Sequence, residues 1–243
     1  MNSIVMGRGT GRGMGQGRGR GRRGIKVGTG LTRDPESLDR RPNSAQRKAH
    51  VADIRANIAR GPRDSLTASE KEGLLLMREE EKIARDVYLR LFERWGIRPF
   101  GNIIGSEQAH MDGMLALLDH YGLEDPVQGL GVGSFHSSTL QRLYNDLLAQ
   151  GLRSEEEAIR VGLLIEELDI ADLQQASKQT DKEAIRMVYR ELERGSRNHL
   201  RAFYRWKEKM GIVYHPQHLS PDEFLRTSLS AHEECDSEHI AVS

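Results

Sequence analysis

Cysteine is nearly absent from this chain: Cys235 stands alone among 243 residues. One thiol excludes an intramolecular disulfide framework and a thiolate metal cluster, and it fits a reducing compartment. Long apolar runs are missing too. None approaches the roughly 20 residues that span a bilayer, and the N-terminus lacks the apolar stretch of a secretory signal. A soluble, cytoplasmic protein with no membrane partner is expected. Acids are missing from residues 1 to 30, which carry Arg8, Arg12, Arg18, Arg20, Arg22, Arg23 and Lys26. The formal net charge is nevertheless +0, so the rest of the chain is net acidic. A convincing strand pattern is also lacking.

The residues that are present divide into three parts. Residues 1–65 are basic. Within them "GRGTGRGMGQGRGRGRRG", residues 7–24, is low-complexity and can bury no apolar area against its chain entropy, so it is expected to be disordered. Pro35, Pro42 and Pro62 punctuate residues 25–65, with a short, peripheral helix expected over residues 45–60. At Thr67 the character changes to helical periodicity. "TASE" at 67–70, "SEEE" at 154–157 and "TDKE" at 180–183 are capping-box patterns at three helix starts. Long helices are expected from Thr67 to about Trp95, from Phe100 to His120 with Gly122 as the stop, from Ser154 through "AIRVGLLIEELDIADL", and from Thr180 to about Met210. A shorter helix, 138–150, lies in the long connection between the second and third. Residues 66–226 thus read as an all-α domain. A four-helix bundle with one crossover carrying an extra short helix is the arrangement of ferritin-like folds. Residues 227–243 read as a loose polar tail.

Residues at i, i+3, i+4 and i+7 share one helix face. An acid on an apolar face needs a partner, because burying it alone costs several kcal/mol. Glu81 shares a face with Leu74, Met77, Ala84 and Tyr88. Glu79 and Glu80 read as its solvated neighbours. Glu107 and His110 lie one turn apart, with Met114 and Leu117 continuing their face. Glu166 has Gly162, Leu163, Ile170 and Leu173 around it and Asp169 three residues on; Glu167 is a weaker candidate. His199 follows Gly195 and Ser196 and precedes Ala202 and Phe203. Any one of these has an ordinary reading as a helix-surface residue or a hydrogen-bonded histidine. Together they place Glu, Glu-x-x-His, Glu and His on four long helices in turn, close to the inward layout of di-iron carboxylate bundles. Carboxylate and imidazole ligands without thiolate suit iron or manganese, and zinc is admitted.

"EKIARDVY" at 81–88 resembles the first metal-binding helix of rubrerythrins, and "EQAH" at 107–110 resembles their second-helix Glu-x-x-His. "EELD" at 166–169 is similar to their third-helix acidic pair, with Glu166 and Asp169 in those parts. Over residues 70–225 the core more closely resembles an uncharacterised prokaryotic ferritin-like family, a domain of unknown function, through "REEEKIARDVY", "SEQAHMD", "LLDHYGLEDP", "IEELDIADL" and "GSRNHLRAF". The resemblance implies two irons held by Glu81, Glu107, His110, Glu166, Asp169 and His199. It also implies oxidoreductase chemistry on peroxide, O₂ or Fe(II). The pattern departs at Ser196, where rubrerythrins carry a Glu, and Asp169 is the residue expected to compensate. Arg197 is expected to orient a carboxylate of the site. Tyr88, on the Glu81 face, is the candidate catalytic residue, as a hydrogen-bond donor or a quencher of an oxidising equivalent; the competing reading has it only pack at the core edge.

Other expected partners are an external electron donor, since no Cys-rich rubredoxin-like module is present, and a second copy in a homodimer. A reading of another class makes the protein a non-catalytic helical binding module. Its Arg/Gly arm, residues 7–24, would then contact nucleic acid through phosphates. That arm has no interleaved aromatics to support base stacking.

Overall fold

Thr67 does what its sequence pattern predicts. Its hydroxyl accepts from Glu70 N at 3.2 Å, and the Glu70 carboxylate accepts from Thr67 N at 2.8 Å. This reciprocal cap starts a 28-residue helix, α2 (Ala68–Trp95). The computed structural model describes residues 44–234, so the Gly/Arg stretch 7–24 and Cys235 lie outside the described residues. Among those residues there are seven helices and no strand: α1 (Ser44–Arg60), α2, α3 (Arg98–Tyr121), α4 (Ser138–Gly151), α5 (Glu155–Ser177), α6 (Glu183–Met210) and α7 (Pro221–Leu229). None of the helices is long and apolar enough to cross a membrane. Gly122 closes α3 at φ 68°, a left-handed cap that costs glycine nothing.

Two apolar clusters fix the helix directions. α2 runs from the second cluster, at Leu74 and Met77, to the first, at Val87 and Leu91. α3 runs back, from Phe100 and Ile103 to Met114 and Leu117. α5 runs the same way as α3, from Ala158 and Ile159 to Leu173, and α6 returns from Ile185 and Val188 to Leu200 and Phe203. α2 packs on α3, α5 on α6, α3 on α6 and α2 on α5, which closes a four-helix bundle. Because α3 and α5 run in the same direction, the chain between them must return along the bundle. It does so through residues 122–154, and α4 within it packs on α2 and α5. A buried pair anchors this return: Lys82 Nζ lies 2.5 Å from Asp86 Oδ2 and donates to Gly131 O at 2.8 Å, while Gly133 N donates to the same Asp86 oxygen at 2.9 Å.

Some expectations need correcting. The helix at 44–60 is not peripheral: Ile54 and Ile58 are buried in the second cluster, so the packed body begins before residue 66. "TDKE" forms no capping box. Lys182 is the N-cap of α6 without a side-chain cap, since the helix starts at Glu183 and leaves Thr180 two residues ahead of the cap; the Thr180 hydroxyl donates to Glu70 of α2 at 2.6 Å and accepts from Lys182 N at 3.2 Å. The tail is not loose where it is described. α7 runs on to Leu229, and Glu233 is held by Arg197 and Arg201 of α6. That clamp, with Glu193, occupies Arg197, which orients no carboxylate of the central site. Finally, Glu79 is buried rather than solvated.

Candidate metal centre

The two apolar clusters leave a polar layer between them, and each long helix contributes to it at mid-length. α2 supplies Glu81, α3 supplies Glu107 and His110, α5 supplies Glu166, and α6 supplies His199. All are buried, the carboxylates at 2% exposure. Helical spacing explains why. Each sits one turn from a core side chain on the same face, so burying the face buries the acid.

The arrangement is two triads with one member in common. Glu81, Glu107 and His110 bring one atom each within 4.8 Å of one another, and so do Glu107, Glu166 and His199. Glu107 spans the two. Its Oε2 lies 2.9 Å from His110 Nδ1 and its Oε1 lies 3.0 Å from His199 Nδ1. His110 Nδ1 is 3.2 Å from Glu81 Oε2, and His199 Nδ1 is 3.4 Å from Glu166 Oε2. The two imidazoles stack with centroids 5.5 Å apart.

The donor set fits a metal pair on a geometric test. Glu81 Oε1, Glu107 Oε1 and His199 Nδ1 are buried with no hydrogen-bond partner. His199 Nδ1 and Glu107 Oε1 are close, yet no proton is aligned between them. All three atoms belong to residues of the two triads. Such orphans are rare in folded proteins and call for a reason. Gly195 adds a second sign. A Cβ there would stand 2.3 Å from His110 Nε2, so only glycine lets the ring lie flat against α6 with Nδ1 facing the carboxylates.

Electrostatics describe a cluster short of positive charge. Burial pushes Glu81 up, and Glu107 beside it adds to this against the pull of His110. Burial also pushes Glu166 up, to about 7, with Glu107 adding and His199 opposing. Glu107 itself is driven up by burial, but His199 and His110 outweigh that and bring it to about 2. Burial lowers the histidines, yet Glu107 and Glu166 raise His199 to about 10, and Glu81 and Glu107 hold His110 well above its usual value. Protons on the two imidazoles supply the positive charge that the carboxylates demand.

The remaining expected residues surround this pair. Tyr88 is fully buried and donates to Glu166 Oε1 at 2.5 Å. Asp169 belongs to neither triad. The Ser196 hydroxyl, which also reaches Leu192 O at 3.0 Å, donates to Asp169 and fastens it beside the site. Burial, then Glu81, holds Asp169 well above its usual value. Glu167 faces elsewhere: it accepts from the Tyr214 hydroxyl and from the backbone N–H groups of Gln217 and Leu219, and so anchors the loop before α7. Sequence reasoning missed Gly195, whose only signal was a glycine inside a helix one turn before a candidate ligand. It also missed the burial of Glu79, since two positions on a helix turn a side chain by about 200°, away from the Glu81 face.

Comparison with known proteins covers the helices that carry this centre. Residues 70–231 match the family described as an uncharacterised protein domain, DUF2202. An uncharacterised protein of Methanocaldococcus jannaschii, MJ0754, is 47% identical over 163 residues, covering 67% of this chain and 88% of its own length. The crystal structure of the hypothetical protein MJ0754 from Methanococcus jannaschii superposes with a TM-score of 0.69 at 45% identity, covering 71% of this chain and 98% of that one.

Proposed function

The chain belongs to the family of the uncharacterised DUF2202 domain, and from the chemistry of its buried centre we propose that it is a ferritin-like carboxylate metalloprotein that binds two irons and acts as an oxidoreductase on peroxide, O₂ or Fe(II). The observation that carries this reading is the pair of triads sharing Glu107. The ferritin-like relationship is supported by the single long crossover between α3 and α5 and by the position of the triads at mid-bundle. Glu81 and His110 would hold one ion, Glu166 and His199 the other, with Glu107 between them. Manganese fits the same oxygen and nitrogen donors, and zinc is less favoured by so many carboxylates.

Iron held there supplies one-electron redox chemistry at each ion. The protein's own groups do the rest. Tyr88 orients Glu166 as a hydrogen-bond donor at 2.5 Å, and burial, then Glu166, keeps its phenol protonated well above the usual range. Asp169, with Ser196 in place of a second bridging carboxylate, is a reserve acid one turn from Glu166. The apolar clusters above and below exclude bulk water from the layer.

Anaerobic titration with Fe(II) followed by elemental analysis is expected to end at two ions per chain. Glu81→Gln and His199→Gln should each lose one ion, and Glu107→Gln both. A purified protein that retains no iron, manganese or zinc under saturating conditions sinks the reading.

A further inference from the structure

A cavity of about 20 Å³ lies between α2, α4 and α5, against the outer side of the centre. It has room for a single water-sized occupant. Aliphatic side chains form its walls, with Leu143 and Leu147 of α4 as the outer cover, and its two charged lining residues are Glu80 and Asp169. Glu80 Oε2 is fully enclosed and has no hydrogen-bond partner. The charged neighbours of Glu80 are all acids: Asp172, Glu81 and Glu79. Glu79 has an enclosed oxygen without a partner as well, and faces His136. Asp172 is half-buried and faces His218.

An enclosed carboxylate oxygen without a donor costs about 1–3 kcal/mol, and more when charged. Nothing in the packing of the cavity requires an acid at residue 80, since the rest of the wall is aliphatic. What the place offers is a bare oxygen with Asp172 and Glu79 near it on one hand and Asp169, in the same cavity lining, on the other. Such a row attracts a divalent cation, repels anions and gives a neutral oxidant nothing to hold. We propose that this cavity is the access route by which a divalent cation reaches the centre, with Glu80 the carboxylate that receives the ion from Asp172 and Glu79 and passes it to Asp169. The inference rests on the reading of the centre as a metal site.

A relay changes rates and not equilibria, and that separates it from a ligand or a packing residue. Co(II) serves as probe, its loading followed by visible absorption in the stopped flow and its stoichiometry by elemental analysis. Glu80→Gln is expected to slow both association and dissociation about tenfold, the scale of local electrostatic steering, while two ions per chain still bind with unchanged affinity. Leu143→Trp, which fills the cavity from α4 without touching a carboxylate, should slow loading as well. Helical circular dichroism and the melting temperature verify that both variants are folded. Loading of either variant at the wild-type rate overturns the route. Loss of an ion from Glu80→Gln overturns it too, by making Glu80 a ligand. A wild-type protein that takes up no Co(II) refutes the centre itself, an outcome distinct from a loaded protein whose rates ignore Glu80.

Discussion

Glu107 is the residue on which the rest of the centre turns, because its two oxygens each face a different imidazole. The protons on those imidazoles set a pH rule. His199 is raised to about 10 and His110 also lies well above its usual value. A raised value means that each ring stays protonated through the neutral range in the metal-free protein. A metal must therefore displace these protons from Nδ1, so affinity rises with pH and uptake releases protons. Calorimetric titration of Mn(II) in buffers of different ionisation enthalpy is the measurement. At least about two protons released near pH 7 are expected for two ions bound, one from each imidazole, with Glu166 at about 7 adding to them, and a heat that does not change with buffer contradicts the prediction. At this scale much was legible. Glu81, Glu107, His110, Glu166 and His199 announce themselves as polar residues on apolar helical faces, and the structure gathers these five. Asp169 and Ser196 were legible only as residue types. Their hydrogen bond joins α5 to α6, and no periodicity within one helix encodes a bond between two. The contact of Gly195 with the His110 ring is hidden for the same reason.

At the scale of the element, local chemistry was readable wherever it stayed local. Thr67 with Glu70 forms the full box that the pattern predicts, and Ser154 forms half of one, accepting from the Glu157 N–H while the Glu157 carboxylate takes Gln150 and Arg153. Thr180 is no cap because α6 starts only at Glu183; its hydroxyl accepts from Lys182 N and donates to Glu70, 110 positions away. The helix at 221–229 carried a readable signal, Ser220 with Pro221 and Glu223, that its shortness concealed. Glu70 ties α2 to α6. Burial pushes its carboxyl up, but Thr180, the Thr67 N–H and Lys182 overcome that and hold it at about 2 against a usual 4.5. A depressed value contributes stability that is present above pH 4.5 and lost as pH falls towards 2. The difference corresponds to at most about 3 kcal/mol. Denaturant unfolding of wild type and Glu70→Gln at a series of pH values is expected to show a gap at neutral pH that closes in this acid window. Curves that stay parallel down to pH 2 would count against the assignment.

At the scale of the whole molecule, the sequence pointed to an all-helical body and a long connection, and the structure has both. The extent of that body was misjudged at each end, since the residues that extend it are few. Ile54 and Ile58 of α1 fill the second apolar cluster, and Glu233 closes on two arginines of α6. Burying two isoleucines is worth about 3–6 kcal/mol. A chain beginning at residue 66 is therefore expected to unfold well below one beginning at residue 44, and equal melting temperatures would refute the role given to α1. The direction of the helices has a further consequence, in time. Glu81, Glu107 and His110 all lie on the first hairpin, α2 with α3, which leaves the ribosome before α5 and α6 exist. That hairpin carries a whole triad, whereas the other triad needs the late-made half and borrows Glu107 from the early one. Order of synthesis thus sets an order of assembly, in which the three side chains of the first triad are made before the two that complete the second.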